Sequence, residues 1–118
     1  MTFEELKICI LDDLTILGLP TDFILELKEY HKTYEGWYNP NTKKVVVFTN
    51  DDYNKPLDYD TIIRVAIHEA IHHYQYVHDP SFKRYKGIMH NADFKRLEKL
   101  YNKKYDLMKE YVEEELYV

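Results

Sequence analysis

The amino-acid sequence predicts an α+β fold: a small antiparallel sheet of two to three strands, packed with a central amphipathic helix and with further N- and C-terminal helices. Three observations carry this. Apolar residues recur at helical spacing near the start of the chain, between about 58 and 78, and again after 91. A β-branched run from Val45 to Thr49 follows turn chemistry at Asn39-Pro40-Asn41-Thr42, itself preceded by an aromatic run. With 118 residues and 45% hydrophobic content, positions 1–118 are expected to form one domain around one core.

Each element has its own local reason. Thr2 with Glu5 reads as a capping box, and Phe3, Leu6, Ile10, Leu14 and Leu17 then follow a helical stripe until Gly18 and Pro20 end it. The stretch TDFILELKEYHKTYEG fits two periods at once. Phe23, Leu27, Tyr30 and Tyr34 suit a helix, whereas Leu25 and Leu27 suit a strand, so its first half is left unassigned. YEGWYNPNTKKVVVFTN reads as a β-hairpin. Asp58 or Asp60 caps a helix that runs to about His78, where Asp79-Pro80 stops it. A loop through Gly87 leads to a last helix, capped by Asn91, with Phe94, Leu97, Tyr101, Tyr105, Met108 and Val112 on one stripe.

Charge and cysteine usage bound the function classes. A net charge of -5 argues against indiscriminate nucleic-acid binding, yet positions 83–104 carry a local balance of +6 and the remainder -11. Lys95, Arg96, Lys99 and Lys103 share one face of the last helix; it reads first as a solvated surface, with weak DNA phosphate contact as the alternative. The single cysteine, Cys9, closes no internal disulfide. No apolar run spans a membrane and the N-terminus is acidic, so a cytoplasmic protein without membrane contact is expected.

The chemistry concentrates in HEAIHHYQYVH, positions 68–78, which holds four of the six histidines. On a helix His68 and His72 lie about 40° apart and one turn along the axis, so both imidazoles reach a single zinc. Glu69 flanks that metal without ligating it, where a carboxylate serves as general base on zinc-bound water and then as acid toward the leaving amine. His31 and His73, taken singly, read as structural. Ile63, Ala66, Ile67, Ala70, Tyr74 and Val77 form the opposite, core-facing arc.

Catalytic zinc usually takes three protein ligands, so a third is required. His78 has metzincin spacing from His72, but Gln75 stands where that pattern has the glycine that turns the chain back. Asp93 or Glu98 would complete a thermolysin-like set. HEAIHHYQY followed by HNADFKRL resembles the SprT-like zinc metallopeptidases, in which His-Glu-x-x-His precedes a segment of the type His-Gly-Pro-Glu-Phe-Lys. His68, Glu69, His72, His90, Asp93, Phe94 and Lys95 match that pattern, while Asn91 and Ala92 replace the usual Gly and Pro. The resemblance covers roughly positions 33–97. It implies a minimal zincin-like fold, zinc held by His68, His72 and His90, and Glu69 as the catalytic base.

The expected function is therefore a zinc-dependent endopeptidase acting on protein or peptide substrates, DNA-associated proteins among them by the resemblance. The alternatives are a zinc-stabilised binding protein without catalysis, and a small zincin that cleaves one specific regulator. An edge strand at Val45 to Phe48 is a candidate to take the substrate peptide, against the plainer reading that it belongs to the core. Tyr76 and Tyr85 are guesses for the oxyanion donor.

Overall fold

The computed structural model describes residues 1–82 and 90–117, with side chains as far as Tyr111. Helix α1, Phe3–Ile16, starts at the capping box: Thr2 Oγ1 accepts the Glu5 N–H at 3.2 Å and Glu5 Oε1 accepts the Thr2 N–H at 3.4 Å. Its far end is closed by Gly18 at φ 90°. There the Gly18 and Leu19 N–H groups bond the carbonyls of Thr15 and Leu14, each at 3.0 Å, so the last turn leaves few free acceptors. Ile10, Leu14 and Leu17 are buried, whereas Phe3 stays exposed.

Three strands follow: β1 (Ile24–Lys28), β2 (Gly36–Asn39) and β3 (Lys44–Phe48), in the order β1-β3-β2. β2 and β3 are the hairpin, antiparallel with Trp37 opposite Val46. Asn39 Oδ1 tightens its turn by accepting the Asn41 N–H at 2.9 Å. β1, left unassigned from sequence, is a strand whose Leu25 and Leu27 point inward. It runs parallel to β3, so the sheet is mixed where an antiparallel one was expected. The difference is one of connection: the chain leaves β1, lays β2 along the far edge and returns up the middle.

That order overturns another expectation. β3 is the central strand, hydrogen-bonded on both sides, so Val45 to Phe48 offer no free edge; β2 is an edge, and its Gly36 approaches Val65 and Glu69. β3 is also covered on both faces. Val45 and Val47 enter the main core, while Phe48, on the opposite face, meets the rings of Trp37 and His31 at 5.3 Å.

Helix α2, Tyr59–His73, begins where Asp58 Oδ1 accepts the Thr61 N–H at 2.8 Å. Ile63, Ala66, Ile67 and Ala70 face the core as expected, joined by Ile62 and Ile71. The helix does not run on regularly to His78. Tyr74–His78 form a π-helical turn, marked by the Asp79 N–H bonding Tyr74 O at 3.0 Å, five residues back. The wider turn shifts the register, so Val77, expected on the core face, is exposed and Gln75 is buried instead.

Helix α3, Ala92–Tyr117, opens with Asn91 Oδ1 accepting the Phe94 N–H at 2.8 Å. Phe94, Leu97 and Tyr105 are buried and Tyr101 and Met108 pack beside them; the Val112 side chain lies outside those described. Arg64 ties α2 to α3, its Nε on Asp60 at 2.9 Å, its Nη1 on Asn102 at 2.8 Å and its Nη2 on Asp106. Among the described residues no helix is long and apolar enough to cross a membrane.

Gly36 allows the close approach of β2 to α2. A Cβ there would lie 2.7 Å from the Val46 carbonyl oxygen and 2.8 Å from Val65 Cγ1. Gly36→Ala should therefore destabilise the fold by about 1–3 kcal/mol in urea unfolding. Adding Val65→Ala should recover only part of the loss, because the backbone oxygen remains; full recovery would show that the side chain alone sets the constraint.

Candidate metal centre

α2 presents His68 and His72 on one face, and the start of α3 brings His90 against them. His90 Nε2 lies 3.1 Å from His68 Nε2 and 3.2 Å from His72 Nε2, with the three ring centroids 4.9–5.0 Å apart. Hydrogen bonds alone serve such a trio poorly, since a neutral imidazole has one N–H and three ring nitrogens here meet head to head. A tetrahedral zinc with Zn–N of 2.0–2.1 Å needs nitrogens about 3.3–3.4 Å apart, so the observed spacing suits one such ion after a small adjustment.

The surroundings favour the ligating form of these rings. His68 Nδ1 is bonded to a Glu98 carboxylate oxygen, which fixes its proton there and leaves Nε2 with its lone pair facing inward. Burial, and then the charges of His68 and His90, hold His72 down to about 3, so its ring stays neutral at ordinary pH. His90 is lowered as well, by burial and by His68, against the opposing pull of Glu98. Phe94 forms the floor: it stacks on His72 at 4.3 Å and meets His68 edge-on at 4.8 Å. His72 Nδ1 is buried with no partner among the described residues, the one gap in this supporting shell.

Glu69 is 6% exposed and lines, with His68, a cleft of about 650 Å³. The cleft is bounded by the β2 approach, from Thr33 to Gly36, by Arg64 and Val65 on α2, and by Glu98 and Asn102 on α3. Burial raises the Glu69 carboxyl to about 7; the His68 charge opposes that rise and Glu98 adds to it. A carboxyl poised there can both take and return a proton near neutral pH.

The remaining candidates fall elsewhere. His78 does not approach this trio, and neither does Asp93, which pairs with Arg96 at 2.8 Å. Glu98 meets the centre as a partner of His68 through Nδ1. Tyr76 packs against Tyr38 and Phe82, away from the cleft lining; Tyr85 and Gly87 lie outside the described residues. His31 sits among Tyr34, Trp37 and Phe48, and His73 is fully buried and bonded to Tyr38 and Asp22. Lys95, Arg96, Lys99 and Lys103 are exposed on α3.

Sequence reasoning missed the roles of Phe94, as floor rather than general core, and of Glu98, as orienting partner rather than ligand. A signal was present. Phe94, Glu98 and Asn102 recur every four residues and so fall on one side of α3, in step with His90 just ahead of the helix. Compared with known proteins, the chain matches no family model, no curated protein and no solved structure. The site accordingly rests on its own geometry.

If Glu98 orients His68, Glu98→Ala should weaken zinc affinity about 10–100-fold in competition with a chelating dye, with little change in the circular dichroism spectrum. Glu98→Gln, which keeps an acceptor for the ring N–H, should recover part of that loss. Unchanged affinity in the alanine variant would remove Glu98 from the metal centre.

Proposed function

We propose that this chain is a zinc-dependent endopeptidase in which His68, His72 and His90 hold the metal and Glu69 is the catalytic base. The observation that supports this most is the convergence of three imidazoles, His90 Nε2 lying 3.1 Å from His68 Nε2 and 3.2 Å from His72 Nε2, beside a cleft that His68 lines together with the buried Glu69. The likeness of HEAIHHYQY and HNADFKRL to SprT-like zinc metallopeptidases, and a small sheet packed against the helix that carries His68 and His72, agree with the reading but do not carry it.

Zinc, when bound, supplies a Lewis acid that polarises the scissile carbonyl and acidifies water. The chain's own residues do the rest. Glu69 takes a proton from the attacking water and passes it to the departing amine nitrogen, ending in the state in which it began. Glu98 holds the His68 ring in register, and Phe94 excludes water from beneath the imidazoles. β2 borders the cleft as an edge strand, so an extended substrate can add to it by main-chain hydrogen bonds, and Gly36 keeps that edge close to Glu69. The substrate class is therefore an unfolded or extended protein segment.

The two roles separate by mutation. Glu69→Gln should retain zinc, counted by metal analysis, and lose cleavage of a denatured protein by about 10²–10⁴-fold, while His90→Ala should lose zinc and cleavage together. Full activity of the Glu69→Gln enzyme would exclude the general-base assignment. Zinc retained by a wild-type protein that cleaves no denatured substrate would favour a zinc-stabilised binding protein instead.

A further inference from the structure

A second group of side chains with donors that could hold a metal ion lies on a different side of α2. Asp22, just before β1, faces His73 and His78, and the donor atoms of the three lie within 4.8 Å of one another. His73 Nε2 is 2.7 Å and His78 Nε2 2.8 Å from Asp22 Oδ1, with His78 also 3.0 Å from Oδ2. His73 is fully buried, whereas the side chains of Asp22 and His78 are 57% and 36% exposed, so the cluster is walled on one side and open on the other.

We propose that Asp22, His73 and His78 form a second metal site, taking a first-row divalent cation of the zinc type. It is independent of the His68, His72 and His90 centre and of any peptidase activity. Two imidazoles and one carboxylate are a borderline donor set, suited to zinc and its neighbours more than to calcium or magnesium, which take oxygen. His73 also has the outer partner that metal-bound histidines usually keep, since its Nδ1 lies 2.9 Å from the Tyr38 hydroxyl. The π turn is the second observation. Residues five apart on an α-helix point about 140° away from each other. The π turn instead sets the His73 and His78 rings 5.5 Å apart, facing one carboxylate. π turns are rare and recur at functional sites, and this one brings two donors together.

Without metal, Asp22 accepts a hydrogen bond from each ring, as the distances show. On binding, each Nε2 proton moves to Nδ1, where Tyr38 oxygen accepts it for His73 and water accepts it for His78. No net proton is released from neutral rings. The donors must separate by about half an ångström to reach zinc-ligand spacing, which the exposed Asp22 and His78 can supply.

The test is a metal count. Chelator-stripped protein is titrated with Zn²⁺, freed of excess by gel filtration and analysed for bound metal, with folding checked by circular dichroism. The wild type should hold two equivalents, Asp22→Asn and His78→Gln one each, His90→Ala one, and the His78→Gln/His90→Ala double variant none. Asp22 and His78 are surface positions, so these variants should fold. One equivalent in the wild type that His78→Gln leaves in place, or two retained in both Asp22→Asn and His78→Gln, would overturn the second site and leave Asp22 a hydrogen-bonded clamp. One equivalent lost in His78→Gln and kept in His90→Ala would support the second site while removing the first.

Discussion

Burying α2 on two sides, beneath α3 and against the sheet, obliges the chain to satisfy polar groups that a surface helix would leave to water. Most of the other features answer that constraint. On the α3 side, His68 receives Glu98, and Arg64, one turn earlier, spreads its donors over Asp60, Asn102 and Asp106. On another side His73, with no exposed surface, is bonded at both ring nitrogens, by Tyr38 and by Asp22. A buried donor left unmade costs about 1–3 kcal/mol, so these partners are part of what selects the packing. His72 Nδ1 and both polar atoms of the Gln75 amide remain without partners among the described residues.

The same burial shapes the candidate metal centre. Taking an imidazole out of water disfavours its charged form, so the buried His72 enters the fold as a neutral donor, and the more exposed His90 is shifted in the same direction. Three ring nitrogens gathered at one point cannot all be satisfied by the hydrogen bonds between them, whereas a cation at their focus would engage all three lone pairs. Metal binding at the proposed centre would stabilise the folded state by mass action, because the unfolded chain keeps no such focus. Glu69, in the same cleft, is raised by burial; a divalent charge nearby would favour its ionised form.

The sheet contributes an edge in the right place. Because β3 takes the middle, main-chain groups of β2 remain on the side of the cleft, and Gly36 removes the side chain that would hold strand and helix apart. Charge is distributed unevenly around this edge. Glu35, Asp60, Glu69 and Glu98 line the cleft with Arg64 as its one cationic lining side chain among the described residues, and Lys109 of α3 reaches Asp60 at 2.6 Å.

What the sequence determined by itself is local. The capping box at Thr2, the glycine stop at 18, the hairpin turn at Asn39 and the helix start at Asn91 each depend on groups within a few residues and each was readable, while the start of α2 was readable to Asp58 or Asp60 and the structure selects Asp58. The shared face of His68 and His72 follows in the same way from four-residue spacing. Tertiary structure decided the rest. Ile24–Lys28 carries an apolar pattern that suits two periods, and it became a strand because β3 offered it a parallel partner. His78 left its α-helical direction because a π turn, invisible to a 100° wheel, rewound the last residues of the motif toward Asp22. His90 reached the histidine pair because α3 packs on α2 with Phe94 between them, a placement fixed by contacts as much as 49 residues apart in sequence and hence absent from any local pattern.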